Sequence, residues 1–278
     1  MSNQKTLNET KDQKSENNSE KSLLAKNSKL LSAAIGVAVI AVGIFAFNYF
    51  IVQPKEEKAQ TNLAMGVVYV EQANEMLERS LQIEQEYNKL LSTGDTLKVD
   101  SVKKALDASK KEAEDTFNKA LNGDGKYPGF LKISQESFTS AANIATANAG
   151  ICYFNLGKYD ESIKYLSEFS PKGDKGLSAQ YIAALANSYA STGKAEDLDK
   201  AVDAFKEAAN IAGNDVLSPS YLLEAGKILE HQGKKEEALS IYMSVKEKYP
   251  TSAIANSNPN EAVENNSAID KYIERVSK

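Results

Sequence analysis

The run Asn122–Lys126, with the sequence Asn-Gly-Asp-Gly-Lys, holds the residues best suited to ligand chemistry. Glycines, a carboxylate and a lysine at this spacing suggest a phosphate loop or a calcium loop. A phosphate loop needs Ser or Thr directly after the lysine, but Tyr127 and Pro128 follow here. A calcium loop needs a carboxylate at its twelfth position, and counting from Asn122 places Ile133 there. The run therefore predicts a tight turn, since Asn, Asp and Gly adopt positive φ angles most readily.

Two single residues are the remaining candidates for catalysis. His231 is the only histidine, so a multi-histidine metal site is excluded, and its polar neighbours predict a solvated side chain. Cys152 is the only cysteine, so no internal disulfide can form, and its alanine-rich helix predicts a packing role. We find no Ser-His-Asp, HExxH, paired-carboxylate or dinucleotide pattern. The sequence predicts a non-enzyme with no catalytic residues, no metal and no cofactor.

An uncharged apolar run covers residues 30–52, with the sequence LLSAAIGVAVIAVGIFAFNYFIV. A bilayer core about 30 Å thick needs roughly 20 such helical residues, so the run predicts one transmembrane helix. A signal peptide is the alternative, but its apolar region is usually about 7–15 residues and ends at a small-residue cleavage site. Four residues of the run fall on one helical face where another helix could pack closely, although glycine is common in membrane spans and the pattern favours a plain anchor. These residues are Ser32, Gly36, Val39 and Gly43.

The residues on either side of the apolar run predict its orientation. Residues 1–29 are rich in Asn, Ser, Lys and Glu, and we expect a disordered tail. This tail carries six lysines against four acidic residues, which by the positive-inside rule favours a cytoplasmic tail and an extracytoplasmic C-terminal region. The whole chain has a net charge of −5, which argues against a nucleic-acid partner.

An internal repeat covers residues 143–254. Gly150 and Gly157 are separated by seven residues, as are Gly226 and Gly233. In both copies a small residue, Ser162 or Ala238, follows the second glycine by five positions. A third copy lies between them, with a turn three residues longer; it contains Ala186, Gly193 and Ala201. Three copies in register predict three stacked helix–turn–helix units.

Each position of the repeat has a physical role. Gly157, Gly193 and Gly233 are expected to end the first helix in the left-handed conformation. Small residues let the paired helices approach, and large side chains fill the gap between adjacent hairpins; the latter are Leu166, Phe205 and Tyr242. The pattern resembles the tetratricopeptide repeat. We therefore predict an all-α chain in which a single N-terminal transmembrane helix is followed by a tetratricopeptide-repeat α-solenoid.

The regions that flank the repeats are also predicted to be helical. Residues 53–142 predict a divergent helical hairpin and spacer, with helices over 59–91 and 102–121 and a short one near 129–142. Residues 255–278 predict a loop followed by an amphipathic capping helix, which covers the exposed face of the last repeat.

First helices of stacked hairpins line a concave groove that can hold a peptide. An alternative for Ile151 and Phe154 is that they pack under the divergent hairpin. The predicted groove contains Ile144, Ala147, Ile151, Phe154, Ala183, Asn187, Leu223, Lys227 and Glu230.

A closer resemblance rests on the stretches Leu121–Leu131 and Ile269–Arg275 and on the overall layout. Both stretches are similar to those of YfgM-type ancillary subunits of the bacterial Sec translocon from Bacteroidota-like bacteria. The resemblance implies a single-pass protein of the bacterial inner membrane, with its C-terminal domain in the periplasm. It also implies a scaffold without catalysis, whose partners are Sec translocon channel subunits, a membrane-anchored peptidyl-prolyl isomerase chaperone and unfolded exported polypeptides.

Two other functions fit the same layout. One is a helper in cytochrome c or outer-membrane assembly, which would hold a different client in the groove. The other is a membrane-anchored import receptor with its repeats in the cytosol.

Overall fold

The computed structural model describes residues 36–92, 96–136, 139–256 and 267–278. Within these ranges the chain is helical and contains no strand. The predicted tail 1–29, the first part of the apolar run (30–35) and most of the link before the capping helix lie outside the described residues.

The chain divides after Glu57 into two compact units. In the first unit the described residues are helical and belong to α1 (Gly36–Leu91), which includes a π-helical stretch at Asn48–Val52. Two aromatic side chains are stacked along this segment, with the ring centroids of Phe45 and Tyr49 6.0 Å apart. Most of the described apolar side chains of this unit are exposed, Phe45 and Phe50 by 68% and 72%.

The second unit, residues 58–278, contains the rest of α1 and nine further helices among the described residues. They are α2 (Thr96–Asn122), α3 (Phe130–Ile133), α4 (Ser140–Asn155), α5 (Tyr159–Glu168), α6 (Lys175–Ser191), α7 (Ala195–Ala212), α8 (Ser218–His231), α9 (Lys235–Lys248) and α10 (Ala268–Ser277).

The turn between α2 and α3 packs closely against α1. Gly66 lies so close to the Tyr127 hydroxyl and the Phe130 ring that no Cβ would fit there. The Tyr127 hydroxyl donates to the carbonyl oxygen of Ala120 at 2.9 Å. Glycines 123, 125 and 129 have φ angles of 87°, 93° and 86°, so the tight turn predicted from Asn122–Lys126 is confirmed.

Three hairpins follow, formed by α4 and α5, α6 and α7, and α8 and α9. Gly157, Gly193 and Gly233 have φ angles of 71°, 71° and 76°, which confirms their predicted role at the ends of the first helices. The side chains expected between hairpins also fill the space within a hairpin: a Cβ on Gly150 would overlap Leu166, and one on Gly226 would overlap Tyr242.

The transition from the divergent region to the repeats differs from the expected helix bounds. The short helix α3 covers only Phe130–Ile133, and Thr139 adopts an extended conformation before α4 begins at Ser140. The predicted boundary between residues 142 and 143 therefore falls inside α4. Extended backbone at Thr139 separates two helices that the apolar pattern alone joins into one.

Helix α10 packs on the last hairpin. The backbone N–H of Ser267 donates to the Asp270 carboxylate at 2.9 Å and fixes the start of the helix. Ile269 is fully buried in the same hydrophobic cluster as Tyr242. Lys246 of α9 donates to Asp270 at 2.6 Å, so an apolar contact and an ion pair both attach α10 to α9.

Candidate partner-binding groove

The predicted groove residues lie on the first helix of each hairpin: four on α4, two on α6 and three on α8. The predicted groove residues differ in how far they are exposed to solvent. Ile144, Ile151 and Phe154 are half-buried, and Asn187 is exposed. Ala147 and Ala183 are 0% and 6% exposed, so these two alanines cannot contact a partner.

Both alanines face their neighbouring helices and belong to the cluster that contains Leu166 and Phe205. Repeat position alone placed them at the surface, but the small side chains are needed for close helix packing. The two isoleucines are only partly covered. Ile144 packs against both clusters of the second unit, and Ile151 packs against the cluster formed by the repeats.

Helix α6 presents a continuous accessible face that the groove prediction largely missed. Leu177 is 38% exposed, and Gln180 and Asn187 are exposed on the same face. Ala184, between them, is half-buried. The sequence signal for this face was the spacing of three, four and three residues from Leu177 through Gln180 and Ala184 to Asn187, since residues at such spacing share one side of a helix.

A buried polar contact holds α4 and α6 together beneath this face. The Asn148 side chain is 6% exposed and donates to the Tyr181 hydroxyl at 2.9 Å. Burial raises the pKa of Tyr181, while the Asn148 bond lowers it. The Tyr181 ring also lies 4.9 Å from that of Phe169, measured between centroids. These contacts help to fix the distance between α4 and α6.

A second polar contact joins the first hairpin to the next. The Ser162 hydroxyl donates to the Gly150 carbonyl oxygen at 2.8 Å, and it lies 2.8 Å from the Ser188 hydroxyl. All of these groups are inaccessible to solvent, so each hydroxyl needs a protein partner. The repeat position that Ala201 and Ala238 occupy in the other copies therefore carries a hydrogen bond in the first one.

The predicted groove residues of the last repeat are engaged by α10. The Glu230 carboxylate accepts a bond from the Arg275 guanidinium at 2.7 Å and one from the Tyr242 hydroxyl at 3.2 Å. The Arg275 bond is the main cause that lowers the pKa of Glu230. Lys227 pairs with Glu224 at 2.7 Å and lies 5.8 Å from the centroid of the Tyr272 ring. Leu223 packs against the hydrophobic cluster to which Ile269 and Val276 of α10 belong.

The environments of Cys152 and His231, the two candidate catalytic residues, do not favour catalysis. Cys152 is fully buried, and desolvation raises the pKa of its thiol, so a reactive thiolate is disfavoured. His231 is exposed at the end of α8. Within the described part of the chain, no three His, Cys, Asp or Glu residues lie close enough to hold a metal ion.

The described part of the apolar run, residues 36–52, lies in a helix that is long enough to cross a membrane, and an 18-residue window of this helix has a mean hydropathy of 1.9. Of the residues predicted for helix packing there, Ser32 lies outside the described residues. A Cβ added to Gly36 or Gly43 would meet nothing within 4 Å, and Val39 is 65% exposed.

Comparison with known families identifies one class of protein. The family model for the tetratricopeptide repeat matches residues 221–252, which cover most of α8 and all of α9. No curated protein and no solved structure gives a significant match.

The chain is therefore an all-α protein with a long apolar helix and a tetratricopeptide repeat, as the sequence predicts. Repeats of this kind mediate protein–protein interactions, so the class is that of an interaction scaffold.

Proposed function

We propose that this protein is a non-catalytic, membrane-anchored scaffold that holds a polypeptide segment against α4 and α6. The observation that carries the proposal is the accessible face of α6, which combines the exposed Leu177 with the exposed amides of Gln180 and Asn187. On the neighbouring helix α4, Ile144 and Ile151 are half-buried. A face that mixes apolar area with amide groups suits an extended segment, because the amides can pair with its backbone.

Membrane anchoring is supported by the first unit. Seven apolar side chains between residues 37 and 50 are at least 64% exposed. An exposed apolar surface of this kind is unfavourable in water and favourable in lipid. The exposed side chains are Val37, Val39, Ile40, Val42, Ile44, Phe45 and Phe50.

At a finer level, we propose a place at the bacterial Sec translocon, with the repeats in the periplasm. There the groove recruits a membrane-anchored peptidyl-prolyl isomerase chaperone to newly exported chains. The lysine excess of residues 1–29 and the resemblance of Leu121–Leu131 and Ile269–Arg275 to YfgM-type subunits support this assignment.

Site-specific crosslinking in cells tests the groove. A photo-reactive amino acid at Asn187 of α6 is expected to capture a partner, and the same probe at Glu207 of α7 is the control. Both positions are exposed, but they lie on the first and second helix of one hairpin. Equal capture at both positions would refute the groove as the binding surface.

The captured protein and the topology test the finer assignment. Mass spectrometry of the crosslinked product is expected to identify channel subunits or an isomerase; repeated capture of a cytochrome c or outer-membrane assembly factor would refute the translocon assignment. Alkaline phosphatase fused after Lys278 is active only outside the cytoplasm. An inactive fusion would indicate cytosolic repeats and an import-receptor function.

A further inference from the structure

A polar cavity of about 490 Å³ lies in the second unit, beside the turn that joins α2 and α3. Its walls come from the first residues of α1 in this unit, from the turn itself and from the end of α3. The charged and amide side chains that line it are Lys58, Asn62, Asn122, Lys126, Lys132 and Glu136.

The cavity has an excess of positive charge. Three lysines face one carboxylate, Glu136, and none of these four groups forms an ion pair with any residue that the structure describes. The nearby Asp124 does not line the cavity. Its carboxylate accepts bonds from the Tyr69 hydroxyl at 2.6 Å and from two backbone N–H groups of the turn. Among the described residues, no carboxylate other than Glu136 therefore neutralises the lysines from the cavity wall.

Asn62 adds a hydrogen-bonding group to the cavity wall. Its side chain lines the cavity and is only 8% exposed, yet its amide forms no hydrogen bond within the described ranges. Among the described residues, only Gln232 Oε1 is a buried side-chain polar atom without a partner, so the Asn62 amide is accessible and available to a ligand. An anion in the cavity would accept a hydrogen bond from this amide and ion pairs from the lysines.

We propose that this cavity binds a phosphate-bearing anion. Lysine is a common phosphate ligand because its ammonium group acts as a point charge with three donors. The site differs from a phosphate loop, since side chains supply the donors and the N–H groups of Lys126 and Tyr127 are already used by Asp124.

The phosphate has two chemical sources, a lipid headgroup or a free phosphate. Lys58 follows Val52, the last residue of the apolar run, by six positions, so at most about 20 Å of chain separates them. The headgroup source rests on the proposed membrane anchor, whereas binding of free phosphate does not.

Lysine acetylation measured by mass spectrometry tests both sources on the full chain. The first arm adds inorganic phosphate to the chain in neutral detergent. The second compares nanodiscs of phosphatidylcholine with nanodiscs that also contain phosphatidylglycerol. Acetylation of Lys126 and Lys132 is expected to slow by at least about threefold when the cavity is occupied, because an ion-paired ammonium is less reactive. Lys103 and Lys104, exposed on α2, are the internal reference.

Asn62→Asp provides the matched test of the site. It preserves the shape of the side chain and adds a negative charge, so the concentration for half-maximal protection should rise at least about tenfold. Asn74→Asp makes the same change at an exposed position of α1 and should have no effect. If Asn62→Asp loses helicity, the exposed pair Lys126→Gln/Lys132→Gln replaces it, with direct phosphate binding by calorimetry as readout and Lys103→Gln/Lys104→Gln as control.

Protection by inorganic phosphate supports a general phosphate site, and protection only by phosphatidylglycerol supports a lipid headgroup site. The proposal is overturned if neither ligand protects the cavity lysines, or if the reference lysines are protected equally. The proposal is also overturned if folded Asn62→Asp needs the same ligand concentration for half-maximal protection as Asn74→Asp. The phosphate arm uses no bilayer, so its result does not depend on whether the proposed membrane anchor is correct.

Discussion

The contact between Gly226 and Tyr242 inside the last hairpin gives a quantitative test of the repeat packing. Tyr242 is 0% exposed, and a Cβ on Gly226 would overlap its ring, with two of the three nearest ring carbons at 2.8 and 2.9 Å. Carbon atoms normally approach to about 3.5–4.0 Å. Gly226→Ala therefore forces the buried ring to move.

Two opposing terms set the size of the effect. Overpacking a core usually costs about 1–3 kcal/mol, whereas Ala in place of Gly stabilises a helix by about 1 kcal/mol. We expect Gly226→Ala alone to lower the free energy of unfolding by about 1 kcal/mol. Tyr242→Leu alone should lower it by about 2 kcal/mol, because a smaller side chain leaves a cavity.

The double variant Gly226→Ala/Tyr242→Leu isolates the steric term. The new methyl group enters the space that the ring leaves, so the pair should lose only about 1 kcal/mol in total, compared with about 3 kcal/mol if the two changes were independent. The middle hairpin already pairs an alanine, Ala186, with a different large side chain, Phe205, at the same repeat positions.

Urea unfolding of the full chain in mild detergent, followed by circular dichroism, measures all four free energies. Additivity within about 0.5 kcal/mol would refute the reasoning, because independent sites add to that precision. Equal urea dependence in all four proteins is the control, since a changed slope reports a changed unfolded or native state.

Three further predictions concern the turn, a helix end and the capping helix. The hydrogen bond from Tyr69 is the main cause that lowers the pKa of Asp124 from 3.8 to about 2. Because the pKa is lower in the folded protein, the ionised Asp124 stabilises the fold fully above about pH 4, and this stabilisation disappears as the pH falls towards 2. Asp124→Asn should flatten this part of the pH profile of the thermal midpoint. Gly233→Ala should cost about 1 kcal/mol in urea unfolding, since φ is +76° there although space for a methyl group is available; Gly233→Asn should cost less. Arg275→Gln should remove about 1 kcal/mol or less, because its two-bond contact with Glu230 is partly exposed; faster hydrogen exchange confined to α10 is the check.

The sequence predicts the repeat packing because its signals are local. A glycine that must adopt a positive φ angle is needed wherever the first helix turns into the second, and Gly157, Gly193 and Gly233 all meet this need. The close approach of Gly150 to Leu166 follows from the same register. Such features depend on residues within about one repeat, so spacing along the chain is enough to find them.

The accessible surface was harder to predict because it depends on which face of each helix its neighbours cover. Ala147 and Ala183 occupy repeat positions expected in the groove, yet adjacent helices bury them. The polar cavity was also missed. It joins Asn62 to Lys132 across 70 positions of sequence, and no local pattern links residues that far apart.

The position of α10 determines where on the solenoid a partner can bind. Glu230 is paired with Arg275, and Lys227 lies against the Tyr272 ring, so a ligand at the last hairpin would have to displace α10 side chains. Ile269 is buried in the shared core, which makes such displacement unfavourable. Asn187 of α6, by contrast, is exposed. A partner that binds the first helices should therefore depend on Asn187 of α6 far more than on Lys227 of α8.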